Sequence, residues 1–209
     1  QIRRRVPEDL ELEAFVHGAM CMAYSGRCLL SQFLTGRDSN RGNCAQPCRW
    51  KYALVEEKRP GQYFPVVEGE NETLFMNSKD LCMIEHLPEL CEAGISSFKI
   101  EGRIKTEYYV AVITQAYRHA LDDCFSDVIA YGQNLPSYVK QVDMVSHRPY
   151  YTGFYFPDPD LNGQNYSEPS YIRNYDLVGI VTGYDALRRC LHVTEKNKIS
   201  AGDELYIVE

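Results

Sequence analysis

Four of the chain's eight cysteines, Cys21, Cys28, Cys44 and Cys48, fall within 28 positions, spaced C-x6-C-x15-C-x3-C. Four thiolates bind either zinc or an iron–sulfur cluster. Structural zinc favours two tight knuckles with about two to four residues between paired ligands. Cys44 and Cys48 fit one such knuckle, whereas the wider Cys21–Cys28 gap fits a bulky cluster better. Pro47 disfavours a helical turn at Gln46, so the last pair is expected on an open loop whose amides can point at sulfur. Spacing leaves both metals open and leaves the fourth ligand open too. Cys82, read as opening a helix on the same face, is the alternative to Cys48. Cys91, Cys124 and Cys190 lie in helix or strand patterns and are read as core.

Further polar residues cluster in sequence near these thiols. In "FKIEGR", Lys99, Glu101 and Arg103 alternate at a strand end. Glu101 is suited to move protons and Lys99 or Arg103 to hold an anion; the plainer alternative is a salt-bridged strand end. Arg27 and Arg49 beside the cysteines can offer guanidinium forks to carboxylates. His17 is a candidate ligand or proton donor, or else a satisfied loop residue. Paired with Cys21 or Cys28 it would instead make a nucleophilic protease site. Thiolates committed to a metal cannot also be nucleophiles, and neither G-x-S-x-G nor H-E-x-x-H occurs. Tyr24 and Trp50 could stack on a base, although aromatics more often fill cores.

The elements that must position these residues read as α/β. "LELEAFVHG", "TLFM" and "ISSFKI" are expected strands. "NSKDLCMIEHLPELCEAG" is an expected helix capped by Ser78 or Asp80 and ended by Gly94. In "KTEYYVAVITQAYRHALDD", Tyr109, Val112, Ile113, Ala116, Tyr117 and Ala120 recur at helical spacing. Strand–helix alternation implies parallel pairing. The loops "HGAMC", "NSKDLC" and "EGRIK" should then meet at the strands' carboxyl edge, where α/β folds bind ligands. From about Ser146 the texture changes to short β-type runs, with "DELYIVE" an apparent last strand. Residues 1–145 are thus read as the α/β domain, and 146–209 as a small antiparallel barrel or sandwich.

The net charge of −7 over 209 residues argues against nonspecific nucleic-acid binding. From Arg37 to Arg59, however, six cations (Arg37, Arg41, Arg49, Lys51, Lys58, Arg59) face three anions (Asp38, Glu56, Glu57), a local +3 beside the cysteines. No apolar run approaches the ~20 residues of a membrane span, and no signal peptide is read. The expectation is a cytoplasmic protein with reduced thiols. Without an initiator Met, the chain is read as a piece of a longer protein.

"FVHGAMCMAYSGRCLLS", "GRDSNRGNCAQPCRW", "NSKDLC", "SSFKIEGR" and "SHRPYYTGFY" together resemble peptidase family U32, the collagenase-like family, from about Glu11 onward. The resemblance implies a TIM-barrel-like domain, of which this chain would hold the C-terminal part without the N-terminal half of the barrel, followed by that family's β domain. It also implies RNA hydroxylation at C5 of a pyrimidine, in tRNA (a wobble uridine) or ribosomal RNA. The dicarboxylate prephenate would be the partner metabolite. A [4Fe-4S] cluster on Cys21, Cys28, Cys44 and Cys48 is implied as well, with Cys82 again the substitute. Peptide-bond hydrolysis, or a non-catalytic RNA or partner docking role, are the alternatives.

Overall fold

A computed structural model describes residues 1–21, 28–50, 52–55, 57–58, 60–61, 64–65, 78–156, 163 and 171–208. The strands are β1 (Glu13–Ala19), β2 (Ala53–Leu54), β3 (Phe64–Pro65), β4 (Asp80–Cys82), β5 (Ser97–Ile100), β6 (Tyr150–Tyr151), β7 (Gly179–Asp185) and β8 (Cys190–Glu195). The helices are α1 (Leu30–Thr35), α2 (Leu87–Glu92), α3 (Glu107–Ser126) and α4 (Val128–Val142).

The central sheet has the order β5-β1-β4-β6. β1 and β5 run parallel, as do β4 and β6, while β1 and β4 are antiparallel. The sheet is therefore mixed, which corrects the expectation of uniformly parallel pairing. "TLFM" lies outside the described residues. The helix expected from Ser78 or Asp80 is replaced by β4, a short 3-10 turn and then α2, ended as expected at Gly94 with φ +77°. Asp80 resembled a helix cap because capping carboxylates are common before apolar runs. A partner 68 residues away overrides that local preference: Arg148 donates to it at 2.6 Å from Nη2, in a fully buried pair.

α3 forms where its apolar spacing predicts. Thr106 caps it by accepting from Tyr109 N at 3.2 Å, and all six periodic residues are buried. α4 had no clear signal, because Gly132 and Pro136 interrupt its sequence. Asp127 starts it by accepting from Ile129 N at 2.9 Å. Tyrosines stitch the layers together. Tyr117 Oη on α3 donates to Val16 O at 2.9 Å and accepts from Met83 N at 3.0 Å. Tyr131 Oη on α4 donates to Ile84 O at 2.6 Å.

The expected boundary at 145/146 lies between α4 and β6. His147 and Arg148 are buried beside the sheet, and β6 pairs with β4. Beyond it, β7 and β8 make a two-stranded antiparallel sheet, and Leu205–Val208 form no strand, contrary to the reading of "DELYIVE". Cys190 is exposed on β8 rather than in a core; Cys124 is buried, and Cys91 packs partly buried against the same cluster. Among the described residues, no helix is long and apolar enough to cross a membrane.

Candidate metal centre

A cleft of about 260 Å³ opens beyond the carboxyl ends of β1 and β5. Parallel pairing of these two strands delivers their following loops to one edge, so Met20 and Cys21 meet Glu101, Arg103 and Lys105. The segment before β4 reaches the same edge from the opposite direction, because β4 runs antiparallel. Its Ser78 Oγ donates to Met20 O at 3.0 Å. All three loops expected at this edge have described residues there, one of them by reversed polarity.

Cys21, Cys28, Cys44 and Cys48 all line this cleft. The loop carrying the last three is built on α1. Buried Ser31 accepts from Ala45 N at 3.0 Å, and Ser39 Oγ donates to Cys28 O at 2.8 Å. Gln46 adopts the left-handed region (φ 53°) rather than the helical one that Pro47 disfavours, and its N–H donates to Cys44 Sγ at 3.3 Å. Burial pushes the Cys48 thiol up; Arg49 opposes this, while the other three cysteines add to it. Such mutual influence is what adjacent thiols produce. Among the described residues, no three His, Cys, Asp or Glu side chains close around a single metal ion.

Cys82 is separate from this group. It sits in β4 rather than at a helix start, does not line the cleft, and faces Tyr117 Oη at 3.9 Å. Burial pushes its thiol up to about 11. His17 is also withdrawn from the cleft. It is fully buried on β1, with Nδ1 3.3 Å from Tyr117 Oη and Nε2 3.5 Å from Tyr150 Oη. Burial lowers its pKa to about 3, so the ring is neutral. It is a strand residue satisfied by tyrosines, paired with neither Cys21 nor Cys28.

The remaining candidates divide by location. Glu101 and Arg103 line the cleft, and Glu101 Oε1 accepts from Arg103 N at 2.8 Å. Lys99 lies on the outer face, 3.5 Å from Glu13, so the salt-bridged strand end describes that residue. Arg49 borders the cleft, and both its terminal nitrogens are engaged: Nη2 with Met20 O at 3.0 Å, and Nη1 with Gln46 Oε1 at 3.3 Å and Tyr171 Oη at 3.2 Å. It ties the cysteine loop to the end of β1. Arg27 and Tyr24 lie outside the described residues, and Trp50 is exposed.

Two glycines shape the site. A Cβ on Gly18 (φ +127°) would stand 2.7 Å from Glu101 O, and one on Gly42 (φ +77°) would stand 2.3 Å from Arg103 Cδ. Lys105 was missed in the sequence. It lines the cleft with its side chain only 12% exposed, its Nζ 4.0 Å from Asp80 Oδ2 and over the rings of Tyr109 and Tyr171. Its position two residues after Arg103, in the same loop, was the available signal.

A family model described as peptidase family U32 matches residues 1–165. The tRNA hydroxylation protein P1 of Bacillus subtilis is 39% identical over 94% of this chain and 46% of its own length. An uncharacterized protease, MJ0090, of Methanocaldococcus jannaschii is 49% identical over 74% of this chain and 36% of its own. The 23S rRNA 5-hydroxycytidine C2501 synthase of Escherichia coli is 46% identical over 54% of this chain and 16% of its own. The chain spans less than half the length of these relatives. No solved structure matches it significantly.

Proposed function

We propose that this chain, which belongs to peptidase family U32, is part of a cytoplasmic enzyme that hydroxylates RNA. The substrate is a tRNA wobble uridine attacked at C5, with prephenate as partner metabolite. The α/β part is the C-terminal portion of a TIM-barrel-like domain, and the β7–β8 hairpin belongs to a small barrel or sandwich. The observation carrying this reading is the convergence of Cys21, Cys28, Cys44 and Cys48 on one cleft at the end of parallel strands. Relatives named for tRNA and rRNA hydroxylation support it.

The donor set fits a [4Fe-4S] cluster. All four candidate ligands are thiols lining one cleft, and an amide already points at Cys44 sulfur. When bound, the cluster would supply electron transfer. The chain's own residues do the rest: Arg49 holds the cysteine loop against β1, Glu101 exchanges a proton at the cleft wall, and Arg103 offers a cation to an anionic ligand. The buried, neutral His17 speaks against a cysteine–histidine protease.

Anaerobic reconstitution followed by iron and sulfide analysis tests the cluster, with absorption expected near ~400 nm. Nucleoside analysis of tRNA incubated with the full-length protein tests the reaction. Zinc without iron, or unmodified tRNA from an iron-loaded protein, would overturn the corresponding part.

A further inference from the structure

We infer that Tyr171, in the segment between β6 and β7, is a positioning residue for the cysteine centre, clamping the loop of Cys44 and Cys48 to the loop that follows β5. The inference rests on the reading of the four cysteines as a metal centre. It gives a part in that centre to a residue outside the stretch 1–165 that the family model matches.

Tyr171 stands on an anchored base. Its neighbour Ile172 donates from N to His147 O at 2.7 Å and accepts from His147 N at 3.2 Å, a two-way bridge to the segment entering β6. Asn174 Nδ2 donates to Asp143 Oδ2 at 3.2 Å, at the end of α4. From this base the Tyr171 side chain reaches two walls of the cleft.

The first wall is the cysteine loop. Arg49 Nη1 donates to Tyr171 Oη at 3.2 Å and to Gln46 Oε1 at 3.3 Å, and Tyr171 Oη donates to Gln46 Oε1 at 3.4 Å. The three side chains close a triangle. Arg49 Nη2 also bonds Met20 O, next to Cys21, and Gln46 aims its own N–H at Cys44 Sγ. Gln46 keeps a left-handed backbone (φ 53°), a conformation that persists only where its surroundings fix it. The triangle supplies that fixation beside Cys44 and Cys48. The second wall is the loop of Glu101 and Arg103. Lys105 Nζ, from that loop, lies 4.8 Å from the centre of the Tyr171 ring. The hydroxyl thus serves one wall and the ring face the other, so substitutions can separate the two.

Hydrogen–deuterium exchange of the reduced, metal-free full-length protein tests the clamp. Tyr171→Phe should speed exchange in residues 43–50 about twofold to tenfold, the loss of a typical hydrogen bond, and leave residues 101–105 unchanged. Tyr171→Ala should speed both. Tyr155→Phe is the control: that tyrosine is similarly exposed (39% against 41%), and its hydroxyl donates to Phe15 O, outside the cleft. Arg49→Lys combined with Tyr171→Phe should add little to the larger single effect, since both open the same triangle. In the iron-reconstituted protein, Tyr171→Phe should lower the reduction potential and speed iron release to a chelator, because the amide that stabilises charge on Cys44 sulfur is less firmly held. Wild-type exchange of residues 43–50 in Tyr171→Phe, or an equal effect of Tyr155→Phe, would overturn the clamp. So would an unchanged potential and release rate. A protein that takes up no iron yet shows the exchange pattern would sink the metal-centre reading and leave the clamp standing.

Discussion

Asp80 and Arg148 are joined twice inside the protein: Arg148 Nη2 donates to Asp80 Oδ1 at 2.6 Å, and its backbone N–H donates to Oδ2 at 3.1 Å. The pair connects β4 to the segment entering β6, and it lies directly behind Lys105. Burial alone would raise the Asp80 carboxyl; Arg148 and then Lys105 overcome this and hold it below its usual range.

Asp80→Asn should therefore destabilise the fold by about 3–5 kcal/mol, because a buried guanidinium loses its counter-charge. Since the folded carboxyl titrates below the unfolded one, its contribution is complete above the unfolded pKa of about 3.9 and fades as pH falls through the lower folded value. Chemical denaturation from pH 7 downward should show that acid limb in the wild type and a flatter one in the variant.

His17 makes a separate acid prediction. Its pKa is about 3 in the fold, against 6.5 ordinarily, so the unfolded chain binds the extra proton between these values. Stability is complete above pH 6.5 and lost progressively toward pH 3, at about 1.4 kcal/mol per pH unit at most. His17→Gln should lower stability at pH 7 yet remove most of the slope between pH 6.5 and 4. A slope equal to the wild type's would contradict the assignment of a neutral, buried ring.

Tyr117→Phe removes one hydroxyl that serves both Val16 O and Met83 N. Leaving these buried groups without their partner should cost about 1–3 kcal/mol. Thermal denaturation checks it, and iron content should not change, because Tyr117 does not line the cleft.

Cysteine variants distinguish the two candidate fourth ligands. Cys44→Ser and Cys48→Ser should lose most reconstituted iron and the absorption near ~400 nm. Cys82→Ala should keep both, since its thiol lies in β4 against Tyr117. Iron retained by Cys48→Ser and lost by Cys82→Ala would reverse that choice.

Local pattern was a reliable guide where the physics is local. The apolar spacing of Tyr109 through Ala120 marks the buried face of α3, and "FVHG" and "SFKI" mark β1 and β5. Pro47 announced the departure from helix at Gln46. α4 escaped notice because Gly132 and Pro136 weaken its local preference, which packing against α3 overrides. β4 escaped because a capping carboxylate and a buried ion-pair carboxylate are the same residue type until the partner is known.

The sequence by itself determined that four thiols lie close along the chain, that their spacing suits a metal centre, and that a parallel strand pair would carry the loops around them. Only the tertiary structure decided which charged residues share their cleft. It turned Lys99 and His17 away, placed Lys105 and Arg103 in the wall, and left Cys82 in the sheet. The reason is that a side chain's direction depends on register, strand polarity and long-range partners. Glu13 for Lys99, the tyrosines around His17, and Asp80 behind Lys105 are set by contacts that spacing along the chain does not encode.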